Sequence, residues 1–440
     1  MDKTKIFYDG IRELSPNKEY FVYLSAGFSN SQPIPQLLEG FEPIFICGEL
    51  PGKVPDNFMY LAGEILGRRK RGRDLSYEEF YQAIVNSERI QKLFQSLVRE
   101  QGHLDIKTFR NHPSFASQFE DPRMRCFGLT PEQAETYNSK VNQYRLFNGQ
   151  LSLPRYVATT AEEAGSHFET VASSKGVFVN QDVGGGGHRS HLSNSKEELE
   201  VYLATLDPTT KLILAESLDL AFTPSIDIII ANPDEVIAYG IMDQIFDKKN
   251  PLGCRGNVYP SSVPEDLMEE VVKQALVAGR VLAEQGVKGY VSLDFNIDSK
   301  ERVLFGEINA RYAGSSAERM LLMEQTRPER YPTILDLERM AIFDGTFNGF
   351  KLWEEPQGIF VLRRELYAQC SGRINHPQIL IPDETDLFQR KQGSFVGMVE
   401  DGSEVKKGEA LGKFVAVAES AKERDRQVQE LEGIVDSLVI

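Results

Sequence analysis

The residues best suited to chemistry lie in one stretch, residues 286–316 (GVKGYVSLDFNIDSKERVLFGEINARYAGSS). Two apolar runs flank a polar turn, which predicts a β-hairpin. Alternate side chains of a strand share a face, so Glu307 and Asn309 point the same way, and pairing of the two strands can bring Asp294 onto that face. Such oxygen ligands suit a hard cation such as Mg²⁺. The alternative is an ordinary hairpin with solvated charges.

Arg311 follows the predicted metal ligands by two residues. A metal ion and an arginine at one site are suited to hold and polarise a nucleoside triphosphate. The stretch therefore predicts a site at which phosphate is bound.

A run of four glycines, Gly184, Gly185, Gly186 and Gly187, follows a predicted strand over residues 177–180. Because glycine has no Cβ, the backbone N–H groups of such a loop can approach an anion closely. The run lacks the GK[ST] of a P-loop and the helix-opening GxGxxG of a dinucleotide site. The pattern predicts a phosphate-covering flap between two strands, and a flexible hairpin tip is the alternative.

The strands and helices that must position these residues can be predicted from the spacing of apolar residues and from capping and turn residues. Residues 20–25 and 43–47 are predicted strands of an opening α/β unit. Thr130 and the proline after it are an N-cap and a first helical residue, which predict a helix reaching Phe147 with Lys140 near its middle. Residues 264–285 repeat apolar side chains at helical spacing. Residues 247–260 (DKKNPLGCRGNVYP), which carry Arg255, are predicted as a loop.

The amino-acid composition indicates which broad classes of protein and partner are compatible with this chain. The chain has 440 residues, a net charge of −16, 41% hydrophobic and 26% charged residues, and these values are typical of a soluble globular protein of two or three domains. The acidic balance disfavours nucleic acid and anionic membranes as partners. No apolar run reaches the roughly 20 residues of a membrane span, and the N-terminus lacks a signal-peptide core. The four cysteines form no CxxC pair, so we expect a reduced, cytoplasmic protein without structural metal.

The densest basic run is GRRKRGRD at residues 67–74. Its simplest interpretation is a solvated loop. The alternative is a contact for an acidic substrate or for a partner subunit, and a homodimer is compatible with the sequence.

The order of these pieces resembles the ATP-grasp superfamily of carboxylate–amine ligases. The resemblance covers residues 140–316, and the segment LFGEINARYAGSS is similar to the E-x-N-x-R metal and phosphate segment of that family. It implies ATP as the nucleotide and Mg²⁺ as the metal, with Mn²⁺ as a substitute. Within the superfamily, the segments VNQDVGGGG and MDQIFDKKNPLGCRGNVYP look most like peptide ligases of natural-product pathways, namely pheganomycin-type peptide ligases and L-amino-acid ligases.

The resemblance assigns roles residue by residue. Asp294, Glu307 and Asn309 would hold one or two Mg²⁺ ions, and Arg311 would contact the transferred phosphate or the acyl phosphate. The nucleotide-binding residues would be Lys140 at the phosphates, the flap glycines Gly184–Gly187 and the adenine hinge of Glu216 and Leu218. Arg255 would contact the γ-phosphate. One position departs from the family: the strand before the flap often carries a lysine, and here the residue is Asn180.

The implied fold class is α/β (α+β). An N-terminal α/β pre-ATP-grasp domain would cover residues 1–137. The ATP-grasp domain would cover residues 138–345, with a small flap subdomain at about 155–220 and a metal-bearing subdomain at 221–345. A small β-rich C-terminal domain with a terminal helix would cover residues 346–440.

The implied reaction is amide formation through an acyl phosphate, with release of ADP and phosphate and with small-molecule or peptide carboxylates and amines as substrates. Two alternatives stay open. One is an ATP-grasp enzyme with a thiol or bicarbonate in place of the amine. The other is a nucleotide-binding module without catalytic activity.

Overall fold

The computed structural model describes residues 18–26, 34–47, 58–60, 76–184, 189–247, 250–367, 371–373, 384–397, 404–407 and 410–435. The flap glycines Gly185, Gly186 and Gly187 and the basic run at residues 67–74 lie outside these ranges. Within them the predicted mixed α/β class is confirmed, with parallel and antiparallel sheets and packed helices.

The described strands and helices are as follows. The strands are β1 (Glu19–Ser25), β2 (Phe41–Cys47), β3 (Phe58–Tyr60), β4 (Leu104–Thr108), β5 (Met124–Phe127), β6 (Tyr156–Thr160), β7 (Val177–Gln181), β8 (Ser190–Ser193), β9 (Lys211–Glu216), β10 (Leu220–Phe222), β11 (Pro224–Asn232), β12 (Glu235–Asp247), β13 (Asn250–Tyr259), β14 (Gly289–Asp298), β15 (Val303–Asn309), β16 (Phe360–Tyr367), β17 (Gly372–Arg373), β18 (Gly393–Gly397), β19 (Glu404–Val405) and β20 (Ala410–Ala418). The α-helices are α1 (Tyr77–Asn86), α2 (Glu88–Gln101), α3 (Pro131–Asn138), α4 (Lys140–Phe147), α5 (Ala161–Ala164), α6 (Phe168–Val171), α7 (Lys196–Leu203), α8 (Glu265–Glu284), α9 (Ser316–Glu324), α10 (Ile334–Phe343), α11 (Glu384–Arg390) and α12 (Ala421–Val435).

The N-terminal region is a parallel sheet in the order β3-β2-β1-β4-β5. Strand β1 is buried along almost its whole length, as a parallel strand covered on both faces must be, and its sequence is accordingly a continuous apolar run. Helices α1 and α2 supply the apolar cover of one face with their periodic residues Phe80, Ile84, Ile90, Leu93, Phe94 and Leu97.

The helix predicted from Thr130 to Phe147 is two helices. Thr130 begins α3 with a capping box, as its sequence predicts. Ser139 then adopts an extended backbone (φ −77°, ψ 114°) and its side chain accepts the N–H of Asn142, which starts α4 afresh. Lys140 is therefore the first residue of a helix and not the middle of one. Serine favours caps over helix interiors, which explains the break.

A small antiparallel sheet in the order β6-β9-β7-β8 carries the flap segment between β7 and β8. Its apolar side chains Val177, Val179, Leu212 and Leu214 pack on the short helices α5, α6 and α7. Strands β7 and β8 flank the glycine run in the sequence and pair with each other.

The central sheet has the order β10-β14-β11-β12-β13-β16-β20-β18, and β15 pairs with β14. Strand β11 contributes Ile226, Ile228 and Ile230 to one face, which the predicted amphipathic helix α8 covers. Ile229 faces the opposite side, where α9, α10 and the N-terminal sheet pack. The period of two along β11 therefore separates two cores.

Residues 250–259, predicted as part of a loop, form strand β13 between β12 and β16. The prolines and glycines of this segment are turn residues by propensity, but tertiary pairing decides β-structure. Gly256 is needed for that pairing, because a Cβ at this position would lie 2.0 Å from the carbonyl oxygen of Arg363.

Strands β16, β18 and β20 extend the central sheet, and helix α12 packs on them. In the part of the chain that the structure describes, no helix combines the length and apolarity needed to cross a bilayer.

A buried ion cluster ties these C-terminal strands to the rest of the sheet. Glu318 of α9 accepts a hydrogen bond from the Lys413 ammonium of β20 at 2.8 Å, and the guanidinium of Arg363 on β16 lies 3.9 Å away. All three side chains are buried. Buried charges are tolerated only when paired, so this cluster links α9 to β16 and β20.

We predict that Glu318→Gln lowers the free energy of unfolding by about 3 kcal/mol, because the buried Lys413 ammonium loses the carboxylate that neutralises it, whereas Arg363 keeps its ion pair with Glu365 at 2.8 Å. Chemical denaturation of the full chain measures this value. Glu200→Gln, which breaks the exposed ion pair with Lys196 on α7, is the matched control and should cost less than about 0.5 kcal/mol. Equal effects of the two substitutions would show that the cluster does not stabilise the fold.

Candidate functional site

The predicted hairpin is formed by β14 and β15, and its register brings the predicted metal ligands together. Asp294 lies directly opposite Glu307, and Ser292 lies opposite Asn309. The Asn309 amide donates to Asp294 Oδ2 at 3.0 Å. The three side chains therefore share one face of the sheet, as the spacing predicts.

The pairing of β14 with β15 contains a β-bulge next to Asp294 and Glu307. The register shifts between Asp294 and Phe295. At the facing position, a Cβ on Gly306 would lie 2.9 Å from the carbonyl oxygen of Asp294, so glycine is needed there. The residue before Glu307 is thus small for a steric reason.

The electrostatics of the pair suit a cation. Burial, followed by the charge of the neighbouring Glu307 carboxylate, raises the pKa of the Asp294 carboxyl to about 7. Two facing carboxylates and an amide oxygen form an all-oxygen donor set that fits Mg²⁺. Among the described residues, no group of three or more His, Cys, Asp or Glu side chains is arranged so that it could hold a metal ion.

Lys140 supplies a positive charge at the same face. Its Nζ lies 3.0 Å from Glu307 Oε2 and donates to the carbonyl oxygen of Gly184 at 3.1 Å. The residue is 4% exposed. This one ammonium thus joins the start of the glycine segment to the hairpin.

Asp182 places Lys140 by holding the first turn of α4. Its carbonyl oxygen accepts the Lys140 N–H at 3.0 Å, and its Oδ1 accepts from Ser139 Oγ at 2.7 Å and from the Val141 N–H at 2.9 Å. A carboxylate at a helix N-terminus is favourable, because the first N–H groups of the helix have no partner within it. The residue that follows β7 therefore anchors the helix that carries the lysine.

Gln143 is a positioning residue that the sequence analysis missed. Its Oε1 accepts the Ile308 N–H at 2.8 Å, and its Nε2 donates to the carbonyl oxygens of Ile308 at 2.9 Å and Tyr137 at 2.7 Å. The amide thus acts as a strand partner for β15, at the residue between Glu307 and Asn309. The only sequence signal is its spacing of three from Lys140 on the same helix.

The flap segment is described only at its two ends. Gly184 packs close to Arg189, since an added Cβ would lie 3.1 Å from the Arg189 Cβ. Arg189 Nη1 donates to the Val183 carbonyl oxygen at 3.0 Å. Asn180, in the position where the family often has lysine, accepts from Ser190 Oγ at 3.2 Å across the β7–β8 ladder.

The predicted hinge at Glu216 is held by ion pairs and backbone bonds. Glu216 is buried, with its carboxylate 3.4 Å from the Arg155 guanidinium and 3.2 Å from that of Arg302. The Ser217 N–H donates to the Gly176 carbonyl at 3.1 Å, and the Ser217 carbonyl accepts from Ser173 Oγ at 2.6 Å. Leu218 follows as a half-buried residue. The Glu216 carboxylate is therefore buried and held by two arginines.

The two predicted catalytic arginines lie in different surroundings. Arg255, on β13, stacks its guanidinium 3.9 Å from the centre of the Tyr367 ring on β16. Arg311 follows β15, is half-buried and lines a cavity with Lys107, Arg110, Leu129 and Tyr312. Arg311 thus borders both the hairpin and the N-terminal sheet.

Comparison with known proteins reveals the fold. Neither a family model nor a curated protein sequence matches the chain. Among solved structures, carboxyaminoimidazole ribonucleotide synthase from Aspergillus clavatus, complexed with ATP, is similar at 14% identity and a TM-score of 0.62, over 96% of this chain and 100% of that one. The L-amino acid ligase from Bacillus licheniformis is similar at 14% identity and a TM-score of 0.64, over 95% of this chain and 98% of that one.

A third similar structure is the biotin carboxylase domain of the 2-oxoglutarate carboxylase from Hydrogenobacter thermophilus, in complex with magnesium ADP and bicarbonate. It has 15% identity and a TM-score of 0.64, over 94% of this chain and 89% of that one. The likeness spans nearly the whole length of all three proteins. The chain therefore has the ATP-grasp fold that the spacing of Lys140, the glycine run and the E-x-N-x-R segment led us to expect.

Proposed function

We propose that this protein is an ATP-dependent carboxylate–amine ligase that forms an amide bond through an acyl phosphate and releases ADP and phosphate. The observation that carries the proposal is the convergence of Asp294, Glu307, Asn309 and Lys140 on one face of the sheet. The ATP-grasp fold, which the chain shares with solved ATP-dependent ligases, supports the proposal.

In the proposed site, Asp294, Glu307 and Asn309 hold one or two Mg²⁺ ions, and Mn²⁺ is an acceptable substitute. When bound, such an ion neutralises the charge of the nucleotide phosphates. Lys140 is shared between Glu307 and the glycine segment, so it can turn its ammonium to a phosphate when ATP enters. The backbone at Glu216 and Leu218 faces adenine, and Gly184–Gly187 cover the phosphates.

The first step joins two anions, the acid carboxylate and the γ-phosphate, so neutralisation of charge dominates its barrier. The carboxylate oxygen attacks the γ-phosphorus, and the bond from phosphorus to the β,γ-bridging oxygen breaks to release ADP. The amine nitrogen then attacks the acyl carbon, loses a proton and expels phosphate. Arg311 and Arg255 contact the transferred phosphoryl group, and flap closure excludes water from the labile acyl phosphate.

The finer assignment that we propose is a peptide or amino-acid ligase of the L-amino-acid ligase or pheganomycin type, acting in natural-product biosynthesis in the cytoplasm, as a monomer or homodimer. Its substrates are small-molecule or peptide carboxylates and amines. Its division into domains is the one given above, at residues 1–137, 138–345 and 346–440. The similarity to the L-amino acid ligase supports this assignment.

The test is ADP release with paired amino acids, with mass detection of the dipeptide. Bicarbonate and thiols in place of the amine form parallel arms. We expect ADP release to need both an acid and an amine. ADP release with bicarbonate alone would contradict amide formation, and ATP binding without any product over a broad panel would indicate a non-catalytic module.

We predict that Glu307→Gln lowers the rate of this ADP release about 10³-fold, or roughly 4 kcal/mol of transition-state stabilisation, because a principal charge partner of the metal is lost. Glu301→Gln is the matched control, since Glu301 is exposed in the turn of the same hairpin. Normal turnover in Glu307→Gln would remove Glu307 from the metal site.

We also predict that Gln143→Met lowers kcat/KM for ADP release about 10- to 100-fold, because β15 loses the amide that fixes Glu307 and Asn309 relative to Lys140. The free energy of unfolding should fall by about 1–3 kcal/mol, since the Ile308 N–H and C=O lose their buried partners.

Asn142→Ala is the matched control for this substitution, because Asn142 is the exposed neighbour on the same helix. A loss of stability with unchanged kcat/KM would give Gln143 a structural role only.

A further inference from the structure

A second arginine faces Arg311 from the N-terminal sheet. Arg110 lies just after β4, at the carboxyl end of a parallel strand, which is the edge where open α/β sheets bind ligands. Its Nε is buried, with no hydrogen-bond partner among the described residues. Its guanidinium carbon lies 5.3 Å from the centre of the Tyr77 ring. A buried donor without an acceptor is costly unless a ligand supplies one.

The backbone holds Arg110 and Arg311 side by side. The Tyr312 N–H, one residue after Arg311, donates at 3.3 Å to the carbonyl oxygen of Phe109, one residue before Arg110. Both arginines line the same cavity. Burial lowers the pKa of the Arg110 guanidinium, and the charge of Arg311 lowers it further. Two like charges are thus held together at the junction of the two sheets.

Other cations of this region each have a carboxylate partner. Lys107 lies 2.5 Å from Glu338, and Arg125 lies 2.6 Å from Asp105. The structure records no ion pair for Arg110 or Arg311 over the residues it describes.

The acid that lines the cavity, Glu338, is already engaged. Its carboxylate accepts from Lys107, from the Tyr312 hydroxyl at 2.7 Å and from the Tyr290 N–H at 3.1 Å. It is fully buried among these partners. The unbalanced positive charge therefore belongs to the two arginines.

We propose that Arg110 and Arg311 form the binding site for the carboxylate group of the acid substrate, between the end of β4 and the end of β15. This inference rests on the ligase function proposed above. Arg311 follows Asn309 by two residues and stands on the metal side, and Arg110 closes the site from the N-terminal sheet. Two guanidiniums match a carboxylate well, because each presents N–H groups in a planar fork. Apolar groups of Leu129, Phe109 and Ala310 line the same cavity and would contact the rest of the acid.

The first test needs no turnover. The thermal midpoint of the full chain is measured against sodium acetate or inorganic phosphate, with ionic strength held constant by sodium chloride, since an anion that binds the native state raises the midpoint. We expect acetate to raise it in the wild type and in the control Arg123→Gln, and the rise to vanish in Arg110→Gln. Arg123 is a suitable control because it is exposed and paired with Asp121 at 2.8 Å. A rise with phosphate but not acetate, or an unchanged acetate effect in Arg110→Gln, would overturn the proposal.

The second test uses the ligase reaction. Arg110→Gln should raise KM for the acid about 10- to 100-fold, as expected for loss of a charged hydrogen bond. The dissociation constant of ATP should change less than about twofold. The KM of Arg110→Lys for the acid should lie between those of the wild type and Arg110→Gln, because lysine keeps the positive charge but lacks the planar N–H fork of arginine. Weaker ATP binding with an unchanged KM for the acid would assign Arg110 to the nucleotide. If the wild type turns over no acid, the ligase function fails, and the acetate measurement still decides the anion site.

Discussion

The antiparallel pairing of β14 with β15 is the constraint on which the candidate site depends. It places two carboxylates, Asp294 and Glu307, directly opposite each other in a half-buried position. Burial and mutual repulsion raise the pKa of Asp294 to about 7, whereas the Arg319 charge and the Asn309 amide act in the opposite direction. Perturbed carboxyl pKa values are common at functional sites, and an all-oxygen set with two anions is suited to a divalent cation.

Much of the surrounding structure holds this face in place. Gln143 bonds to β15 between the two ligand positions, and Lys140 from the same helix reaches Glu307. Asp182 fixes the start of that helix, and it belongs to the segment that leads into the glycine run. The small sheet and the central sheet are therefore joined through one helix end.

The C-terminal strands form part of the central sheet. Strands β16 and β20 continue the central sheet beyond β13, and Glu318 binds Lys413 inside the core. Tyr367 of β16 also lies under Arg255. The β-rich C-terminal segment thus stands beside the proposed site and completes the sheet that carries it.

The sequence by itself determined the hairpin, the shared face of Asp294, Glu307 and Asn309, and the amphipathic helix α8, because periods of 2 and 3.6 are properties of local backbone geometry. It did not determine the break at Ser139, the strand at residues 250–259 or the role of Gln143. Those features depend on partners far along the chain: Asp182 for the helix start, β12 and β16 for the strand, and Ile308 for the amide. The pairing of Arg110 with Arg311 is of the same kind, since only the packing of one sheet against the other brings two arginines 201 positions apart in the chain to one cavity.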